Sequence, residues 1–340
     1  MSATQKAQVF HSFGLDQLTI EERPLQKPGP GQLLLRMKAA SLNYRDLLMV
    51  AGNYNPRLKM PLVPCSDGVG VVEEAGEGCA RKPGTRVSPI FARTWHDGPP
   101  FREMLKRTHG GPLDGTLQQF MVVPEEDVVH VPEHLGDEEA AALPCAGLTA
   151  WSSLVERGPV RPGEKLLILG TGGVSIFALQ FGRILGAEII VTSGSDAKLQ
   201  KAAELGAHHL INYRTNPNWD REVFKLTGGQ GVDHIVEVGG VGTLEKSIRS
   251  VRPGGSIYLI GVLAGKEAPL DLTPVLMQDI RIQGVVVGSR RAFQNMNRAV
   301  DVHEIHPVVD RVFSFEESVQ AFEYLKSGSH FGKICIRIQD

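Results

Sequence analysis

The sequence lacks any run of about 18 uninterrupted apolar residues, the minimum for a helix that crosses a bilayer. Residues 1–14 also lack the apolar core of a secretory signal, so we expect a cytoplasmic protein without a membrane partner. An excess of one charge sign is missing as well. The formal net charge of -2 provides no overall attraction to nucleic acid, which argues against a nucleic-acid partner.

Cysteine is scarce and widely spaced. The four cysteines are Cys65, Cys79, Cys145 and Cys335. No two of them have CxxC spacing, so the pattern excludes a dense disulfide framework and predicts reduced thiols. No cysteine lies between residues 88 and 120, which excludes a four-cysteine structural zinc site in that segment. His96 and His109 lie there, but two histidines without a thiolate partner are more often surface residues than zinc ligands.

The chain does have length and an ordinary globular composition. With 340 residues, of which 42% are hydrophobic, it can bury a core in each of two domains. Residues 1–123 contain short apolar runs broken by glycine and proline, which predicts a mostly β domain. Within it, residues 92–115 have no sustained periodicity and are predicted to form an exposed loop. Residues 124–289 are predicted to form a second domain, and residues 290–340 to return to the first.

In the second domain, strand-like and helical stretches alternate, as they do in a parallel sheet with crossover helices. The six candidate strands are residues 165–169, 188–193, 208–212, 234–238, 256–260 and 282–287. Residues 175–185 carry an apolar helical stripe, and residues 196–205 form a second helix that ends at Gly206 in a left-handed conformation. This alternation predicts an α/β fold with a doubly wound parallel sheet of the Rossmann type.

A glycine-rich turn joins the first of these strands to its helix. Its residues are Gly170, Thr171, Gly172, Gly173, Val174 and Ser175. At this position, backbone amides and a helix N-terminus can bind a pyrophosphate. Ser175 replaces the third glycine of the usual fingerprint, and a turn made only for folding is the alternative. The order of strand, turn and helix favours cofactor binding at Gly170, Gly172, Gly173 and Val174.

The end of the second strand indicates which dinucleotide binds. NAD sites usually carry an acidic residue there, about 20 residues after the glycines, whereas this chain has Ser193 followed by small residues. These leave room for a 2′-phosphate, and Lys198 can supply positive charge, so NADPH is favoured over NADH. Asp196 lies close and would weaken phosphate binding. In the alternative interpretation, Ser193 and Ser195 only cap the next helix and Lys198 is a solvated lysine.

Three further segments carry a family resemblance together with the nucleotide-binding half. They are residues 43–46 (Asn-Tyr-Arg-Asp), 67–70 (Asp-Gly-Val-Gly) and 145–149 (Cys-Ala-Gly-Leu-Thr). Over nearly the whole chain, the sequence resembles the medium-chain dehydrogenase/reductase superfamily, and within it the zinc-free quinone oxidoreductase and zeta-crystallin branch. The resemblance implies a mostly β, GroES-like catalytic domain in addition to the Rossmann domain.

The same resemblance implies that the family's catalytic zinc is missing. The Cys, His and second Cys that bind zinc in other members correspond to Asn43, Ser66 and Cys145, so one thiol remains. Asp46 and Asp67 match acidic positions near the metal, and a carboxylate-assisted metal site is the alternative. We expect no metal, and we expect Cys145 to be a buried thiol beside the nicotinamide.

Further cofactor contacts are implied by the resemblance. The residues expected at the nicotinamide are Thr149, Gly239, Gly240, Gly261 and Val262. Tyr213 would pack at the adenosine phosphate end. The glycine pair could instead be a simple turn, and Tyr213 a half-buried aromatic at a strand end. Lys333 lies in a segment that resembles the family's closing strand, where its side chain is interpreted as solvated.

Without zinc, hydrogen bonds must stabilise the oxygen that becomes negative during hydride transfer. The catalytic candidates are Asn43, Tyr44, Asp46 and Tyr54. Asn43 can donate its amide to a carbonyl oxygen, and the tyrosines can donate a proton or stack on a flat substrate. Structural alternatives are a helix cap for Asn43, a first-turn acid for Asp46 and a surface position for Tyr54.

Loss of a Lewis acid favours acceptors that are already electron-poor. We therefore predict an NADPH-dependent reductase of quinones or α,β-unsaturated carbonyls. Two alternatives stay open: a zinc-dependent alcohol dehydrogenase with atypical ligands, and a non-catalytic NADPH-binding protein of the zeta-crystallin kind. Residues 284–288 are predicted as the apolar edge of the cofactor sheet, which favours a homodimer unless the chain covers that edge itself.

Overall fold

The computed structural model describes residues 3–265, 267 and 269–339. The chain forms two compact units, residues 1–148 with 287–340 and residues 149–286. No disulfide joins the four cysteines, as predicted. Within the described part of the chain, no helix is long and apolar enough to cross a bilayer.

The first unit is built around a seven-stranded sheet and a separate hairpin. The hairpin strands are β1 (Thr4–Phe10) and β2 (Leu18–Pro24), and the sheet strands are β3 (Gln32–Ser41), β4 (Asp67–Ala75), β5 (Arg86–Pro89), β6 (Phe120–Pro124), β7 (Val128–His130), β14 (Val309–Ser314) and β15 (Lys333–Arg337). Strands β14, β15, β3, β4, β5 and β7 follow one another across the sheet, and β6 also pairs with β3. The long strand β3 is thus the centre of this mostly β unit.

The helices of the first unit are short except for two near its C-terminus. They are α1 (Tyr44–Val50), α2 (Asp137–Ala141), α9 (Arg290–Val302) and α10 (Ser318–Ser327). The core combines inward-facing side chains of β1, β3 and β15 with α10, among them Phe10, Leu33, Ile336 and Phe322. The C-terminal strand β15 pairs antiparallel with β3, so residues far apart in the sequence form the centre of this sheet.

Two sequence-based boundaries of the first unit need correction. The predicted domain boundary at residue 123 moves to residue 148, because β7 pairs with β5 in the first sheet. The chain returns to the first unit at residue 287 rather than 290.

Residues 92–115 are not an exposed loop throughout: Trp95 and Met104 are buried, and the Arg45 guanidinium donates to the His109 carbonyl at 2.9 Å. This segment lacks periodicity, but the burial of Trp95 and the hydrogen bond from Arg45 to His109 hold it in place.

The second unit contains the predicted parallel sheet. Its strands are β8 (Lys165–Leu169), β9 (Glu188–Ser193), β10 (His209–Asn212), β11 (Val232–Glu237), β12 (Val251–Leu259) and β13 (Arg281–Gly284). Their order across the sheet is β10, β9, β8, β11, β12, β13, and every pair is parallel. This is the strand order of a doubly wound dinucleotide-binding fold, with its reversal point between β8 and β11.

Crossover helices connect these strands. They are α4 (Gly173–Ile184), α5 (Asp196–Glu204), α6 (Trp219–Leu226), α7 (Val241–Ser250) and α8 (Thr273–Met277), and the short helix α3 (Leu148–Trp151) precedes them in the sequence. Helix α5 is followed by Gly206 with φ of 101°, a positive value that only glycine adopts without strain. Ile190, Ile235 and Ile257 are among the buried branched side chains of the core, as is typical of a sheet covered on both faces.

The last strand of this sheet differs from its prediction. Strand β13 ends at Gly284, whereas residues 282–287 were expected to be extended. Val287 has φ of 44° and therefore cannot continue a strand. The edge strand itself has the sequence Arg-Ile-Gln-Gly and is largely exposed, so the apolar residues 285–287 are not the edge of the sheet.

Candidate active site

Three neighbouring strands of the first unit converge on one cluster of polar side chains. Asp67 begins β4 opposite Ser41 at the end of β3, and Cys335 of β15 pairs with Ser41 from the other side. Lys333 is the first residue of β15, and Asn43 follows β3 by two residues. Strand register therefore brings Asn43, Asp67 and Lys333 to one end of the sheet.

Lys333 is buried in this cluster, so its interpretation as a solvated side chain was wrong. The residue is only 3% exposed. Its ammonium Nζ donates to the Leu42 carbonyl at 2.7 Å and to Asn43 Oδ1 at 2.6 Å, and it lies 3.9 Å from Asp67 Oδ2. A buried ammonium needs such partners to offset its lost hydration.

A hydrogen-bonded chain continues from Asn43 to Cys145. Asn43 Nδ2 lies 3.5 Å from Ser66 Oγ, and the Ser66 hydroxyl donates to Asp67 Oδ1 at 2.9 Å. The other oxygen of Asp67 accepts the Cys145 amide at 3.2 Å. Ser66 and Asp67 are fully buried, whereas Asn43 and Cys145 are partly exposed. Within this hydrogen-bonded series of residues, Asn43 and Cys145 are therefore the two that another molecule can contact.

Burial dominates the electrostatics of this cluster. It raises the pKa of Asp67 to about 6, although the positive charge of Lys333 acts in the opposite direction. Burial also raises the pKa of the Cys145 thiol, and the neighbouring Asp67 carboxylate raises it further. Cys145 is consequently a neutral thiol at pH 7 and a poor nucleophile.

Asp46 lies beside this cluster with the contacts of a structural residue. It is fully buried, accepts the Asn43 backbone amide at 2.9 Å and pairs with Arg45 at 3.2 Å. Burial raises its pKa, with Arg45 opposing the rise. These contacts match the structural alternative, a first-turn acid that fixes the start of α1.

Tyr44 and Tyr54 differ from Asn43 in their exposure. Tyr44 is 43% exposed and Tyr54 is 52% exposed. The Arg45 guanidinium lies 5.5 Å from the centre of the Tyr54 ring, so this ring packs on a cation that also contacts Phe91. Asn43 thus remains the candidate that combines partial exposure with a fixed orientation.

The glycine-rich turn of the second unit has the geometry expected for a phosphate cradle. Gly170 follows β8 with φ of 74°, and Gly172 in extended conformation precedes the first residue of α4. Ser175, which replaces the third fingerprint glycine, is buried and donates to the Leu169 carbonyl at 2.8 Å. Its hydroxyl closes the turn from inside, which explains why this departure from the fingerprint is tolerated.

A second glycine loop follows β11 and is held by a residue that the sequence analysis did not identify. Glu237, fully buried at the end of β11, accepts the amides of Gly239 at 2.8 Å and Gly240 at 3.2 Å. It also accepts the hydroxyl of Thr243 at 2.6 Å. A methyl group on Gly261 would lie 2.4 Å from the Val238 carbonyl, so only glycine fits there. The signal available in the sequence was an acidic residue at the end of an apolar strand, two residues before Gly239.

The end of β9 brings together most of the residues predicted for the adenosine phosphate. Ser193 is buried, and Ser195 caps α5 by accepting the Lys198 amide. A methyl group on Gly194 would lie 2.8 Å from Arg214 Nε and 2.9 Å from the Tyr213 hydroxyl. Arg214, which the sequence analysis missed, therefore adds positive charge at this position.

Asp196, expected to oppose a phosphate, has a partner. Asn212 donates to the Asp196 carboxylate at 2.7 Å, and the same Asn212 accepts the Arg214 backbone amide at 2.9 Å. Asn212 thus links the acidic start of α5 to the end of β10. Among the residues predicted at the nicotinamide, Thr149 is buried and Val262 is 39% exposed.

Comparison with known proteins agrees with both units. Residues 29–133 match the family model of the alcohol dehydrogenase GroES-like domain, and residues 173–301 match that of the zinc-binding dehydrogenases. A zinc-type alcohol dehydrogenase-like protein of Schizosaccharomyces pombe is 43% identical, with 96% of each chain covered. The chain belongs to the medium-chain dehydrogenase/reductase superfamily.

Other members of this superfamily resemble the chain over its full length. A crystal structure described as a putative alcohol dehydrogenase from Sinorhizobium meliloti has a TM-score of 0.93 and 40% identity, covering 99% of this chain and 100% of that one. A 2-haloacrylate reductase of Burkholderia is 29% identical over 97% of this chain and 98% of its own length. The chain is thus an oxidoreductase of a superfamily that uses nicotinamide cofactors.

The superfamily's zinc positions carry unsuitable donors in this chain. Asn43, Ser66 and Cys145 offer an amide, a hydroxyl and a single thiol in place of two thiolates and an imidazole. No group of three His, Cys, Asp or Glu side chains that could hold a metal occurs in residues 3–265, 267 and 269–339. The Lys333 ammonium also lies within this cluster and would repel a second cation. These residues do not fit a zinc ion.

Proposed function

We propose that this chain is an NADPH-dependent reductase that acts without zinc on quinones or α,β-unsaturated carbonyls. The observation that carries the proposal is the cluster of Asn43, Ser66, Asp67 and Lys333, which offers hydrogen-bond donors at the positions where the family resemblance places zinc ligands. Asn43 is partly exposed, and its amide nitrogen can donate to a substrate oxygen. A buried charge network holds that amide in place from behind.

The type of acceptor follows from how strongly Asn43 can polarise the carbonyl group of the substrate. A neutral amide donor stabilises a developing oxyanion less than a metal ion does, so the substrate must itself spread the incoming electron pair. Conjugated carbonyls do so, because the charge is delocalised as an enolate or a hydroquinone anion. One relative, the 2-haloacrylate reductase, is also named for the reduction of a conjugated compound.

The second unit fits a nicotinamide dinucleotide. Positive φ at Gly170 forms the tight turn after β8, and the close approach of Gly261 to the Val238 backbone fixes the loops at the ends of β11 and β12. Gly172, Gly173 and Val174 would face the diphosphate at the start of α4. Thr149, Gly239, Gly240 and Val262 would hold the nicotinamide end. When bound, the dinucleotide supplies the hydride.

The preference for NADPH rests on the end of β9. Ser193 and Gly194 place no carboxylate there, and Arg214 and Tyr213 lie against Gly194. Lys198, one turn into α5, adds a second cation. Both cations suit a 2′-phosphate, whereas NADH would gain nothing from them.

A homodimer is also part of the proposal, through a surface different from the one expected. Helix α8 exposes Leu276 and Met277 to 80% and 75%, and Leu272 just before it is 62% exposed. This apolar surface lies in the segment that leads into the edge strand β13. An apolar patch next to an unpaired strand edge is typical of an interface between subunits.

The test is a steady-state assay of the purified chain with NADPH and a panel of acceptors. We expect turnover with quinones or enones that exceeds, by at least about tenfold in kcat/KM, any oxidation of primary or secondary alcohols with NADP⁺. Asn43→Ala should lower kcat by about 100-fold, the usual effect of losing one oxyanion donor. Asn53→Ala, which changes an asparagine beyond the end of α1, is the control. Preferred oxidation of alcohols would refute the proposal.

A further inference from the structure

Lys333 has a more specific relation to Asn43 than burial alone requires. Its ammonium makes its shortest hydrogen bond, 2.6 Å, with Asn43 Oδ1 and another of 2.7 Å with the Leu42 carbonyl. The Asp67 carboxylate is farther away, at 3.9 Å. The buried charge is thus directed at the asparagine amide rather than only at its counter-ion.

This contact fixes which way the Asn43 amide faces. An ammonium can only donate, so the amide oxygen must face Lys333 and the NH₂ group must face away. One side of that NH₂ group lies 3.5 Å from Ser66 Oγ. Ser66 itself donates to Asp67, so its oxygen is free to accept from the amide. The Asn43 side chain also hydrogen-bonds the Asp67 carboxylate, and because Asn43 is partly exposed, the carbonyl oxygen of a ligand can compete for the same NH₂ group.

The same contact strengthens the amide as a donor. A cation that is hydrogen-bonded to the carbonyl oxygen of an amide draws electron density from the amide nitrogen. Hydrogen bonds in series also reinforce one another in a medium of low dielectric constant. Lys333 is 3% exposed and Ser66 and Asp67 are fully buried, so water screens this effect little.

We propose that Lys333 is a positioning residue for the reduction, which orients and polarises Asn43 so that its NH₂ group donates one hydrogen bond to the substrate's carbonyl oxygen. The proposal rests on the proposed function. It assigns to a buried lysine, acting through an asparagine, part of the electrostatic role that a metal ion has in relatives. A purely structural lysine would instead only neutralise Asp67 and hold β15 next to β3.

Steady-state kinetics of Lys333→Met separate these two roles. Methionine has a similar length but no charge, and Asp67, whose pKa is already raised, can take up a proton when its partner is removed. We expect kcat to fall by about tenfold, a fraction of the loss from removing an oxyanion donor outright, with KM changed by less than about twofold. Lys326→Met, which replaces an exposed lysine of α10, should leave kcat unchanged.

A double-mutant cycle with Asn43→Ala provides a sharper criterion. If Lys333 acts through Asn43, Lys333→Met should cause no further loss of kcat once Asn43 is alanine. Independent, multiplying losses would overturn the proposal, as would an unchanged kcat in a folded Lys333→Met protein. Should Lys333→Met fail to fold, Lys333→Gln retains a donor at this position and should show the same fall in kcat.

A spectroscopic readout makes the result independent of turnover. Selective ¹⁵N labelling of asparagine side chains, with Asn43→Ser to identify the resonance, reports the polarisation of the Asn43 amide directly. We expect this resonance to move upfield in Lys333→Met or Lys333→Gln and to stay in place in Lys326→Met; no movement would overturn the proposal. A wild-type chain that reduces neither acceptor class refutes the proposed function, and the spectrum still decides whether Lys333 polarises Asn43.

Discussion

At the scale of single residues, small side chains at the end of β9 leave the choice of dinucleotide to nearby cations. Gly194 lies against Arg214 and Tyr213, with no room for a side chain of its own. Asp196, the nearest carboxylate in sequence, accepts a hydrogen bond from Asn212 at 2.7 Å. For the proposed binding of NADPH, we therefore expect recognition of the 2′-phosphate to depend on Arg214 together with Lys198.

Replacing Arg214 by methionine should weaken the binding of NADPH and leave the binding of NADH unchanged. A charge-assisted hydrogen bond to phosphate contributes about 1.5–3 kcal/mol, which corresponds to a rise of about 10- to 100-fold in KM for NADPH. The KM for NADH should change by less than about twofold, because NADH lacks the 2′-phosphate. Arg221→Met, in the exposed part of α6, is the matched control. Equal changes for both cofactors would contradict the assignment.

His109 predicts a pH dependence of stability. Burial lowers its pKa to about 4, from an ordinary value of 6.5. The folded state thus resists protonation, so the stabilisation is complete above pH 6.5 and is lost as the pH falls towards 4. The loss should approach about 3 kcal/mol in the free energy of unfolding.

The measurement is chemical denaturation of wild type and His109→Asn between pH 4 and pH 7.5. The difference in unfolding free energy between the two proteins should shrink as the pH falls. Taking this difference cancels the pH dependence that both proteins share, including that of Asp67. His130→Asn, a change of an exposed histidine in β7, reports the general effect of losing a histidine. A difference that is constant with pH would count against the buried, neutral imidazole.

The candidate site was only partly predictable at this scale. Asn43 and Ser193 could be proposed because their residue types depart from a pattern whose chemistry is known. Lys333 could not, because a lysine that begins a strand carries no periodic signal, and its burial depends on pairing with β3, far away in sequence. Arg214 was missed for the same reason: its approach to Gly194 depends on how β10 ends.

At the scale of elements, prediction succeeded where strands are buried on both faces. Strands β8 and β9 have the predicted bounds, since a continuous apolar run flanked by glycine or polar residues has one interpretation. Strand β13 was placed too late, because the apolar residues 285–287 gave a stronger signal than the polar strand before them. Edge strands are poorly marked by hydrophobicity for this reason.

Glu237 links two elements, and its replacement should disturb the cofactor loop. Its carboxylate accepts the amides of Gly239 and Gly240 and the hydroxyl of Thr243. Oε1 accepts these three donors and the other carboxylate oxygen accepts the Ser247 hydroxyl, so Glu237→Gln makes Oε1 a neutral, weaker acceptor and removes the acceptor of Ser247, at a cost of about 1–3 kcal/mol. We expect a rise in the Kd of NADPH of about tenfold.

Fluorescence titration with NADPH measures this effect. Glu245→Gln is the control, since Glu245 is an exposed residue of α7 whose ion pair with Arg249 contributes little. An unchanged Kd in Glu237→Gln would show that the glycine loop does not depend on this carboxylate for binding.

At the scale of the whole molecule, the exposed apolar residues of α8 imply a partner. Leu276→Glu combined with Met277→Glu places two charges on the most exposed part of this surface. In sedimentation at micromolar concentration, we expect wild type at the mass of a dimer and the double variant at the mass of a monomer. Val302→Glu, at another exposed apolar residue, should remain dimeric. A monomeric wild type would contradict the interface.

Reduction at a metal-free site can be checked by metal analysis of the active protein. Zinc content and NADPH-dependent turnover should be measured on the same sample before and after dialysis against a chelator. The account predicts well under about 0.1 zinc per chain and an unchanged kcat for a quinone or enone. About one zinc per chain, with activity that is lost on chelation and restored by added zinc, would contradict it.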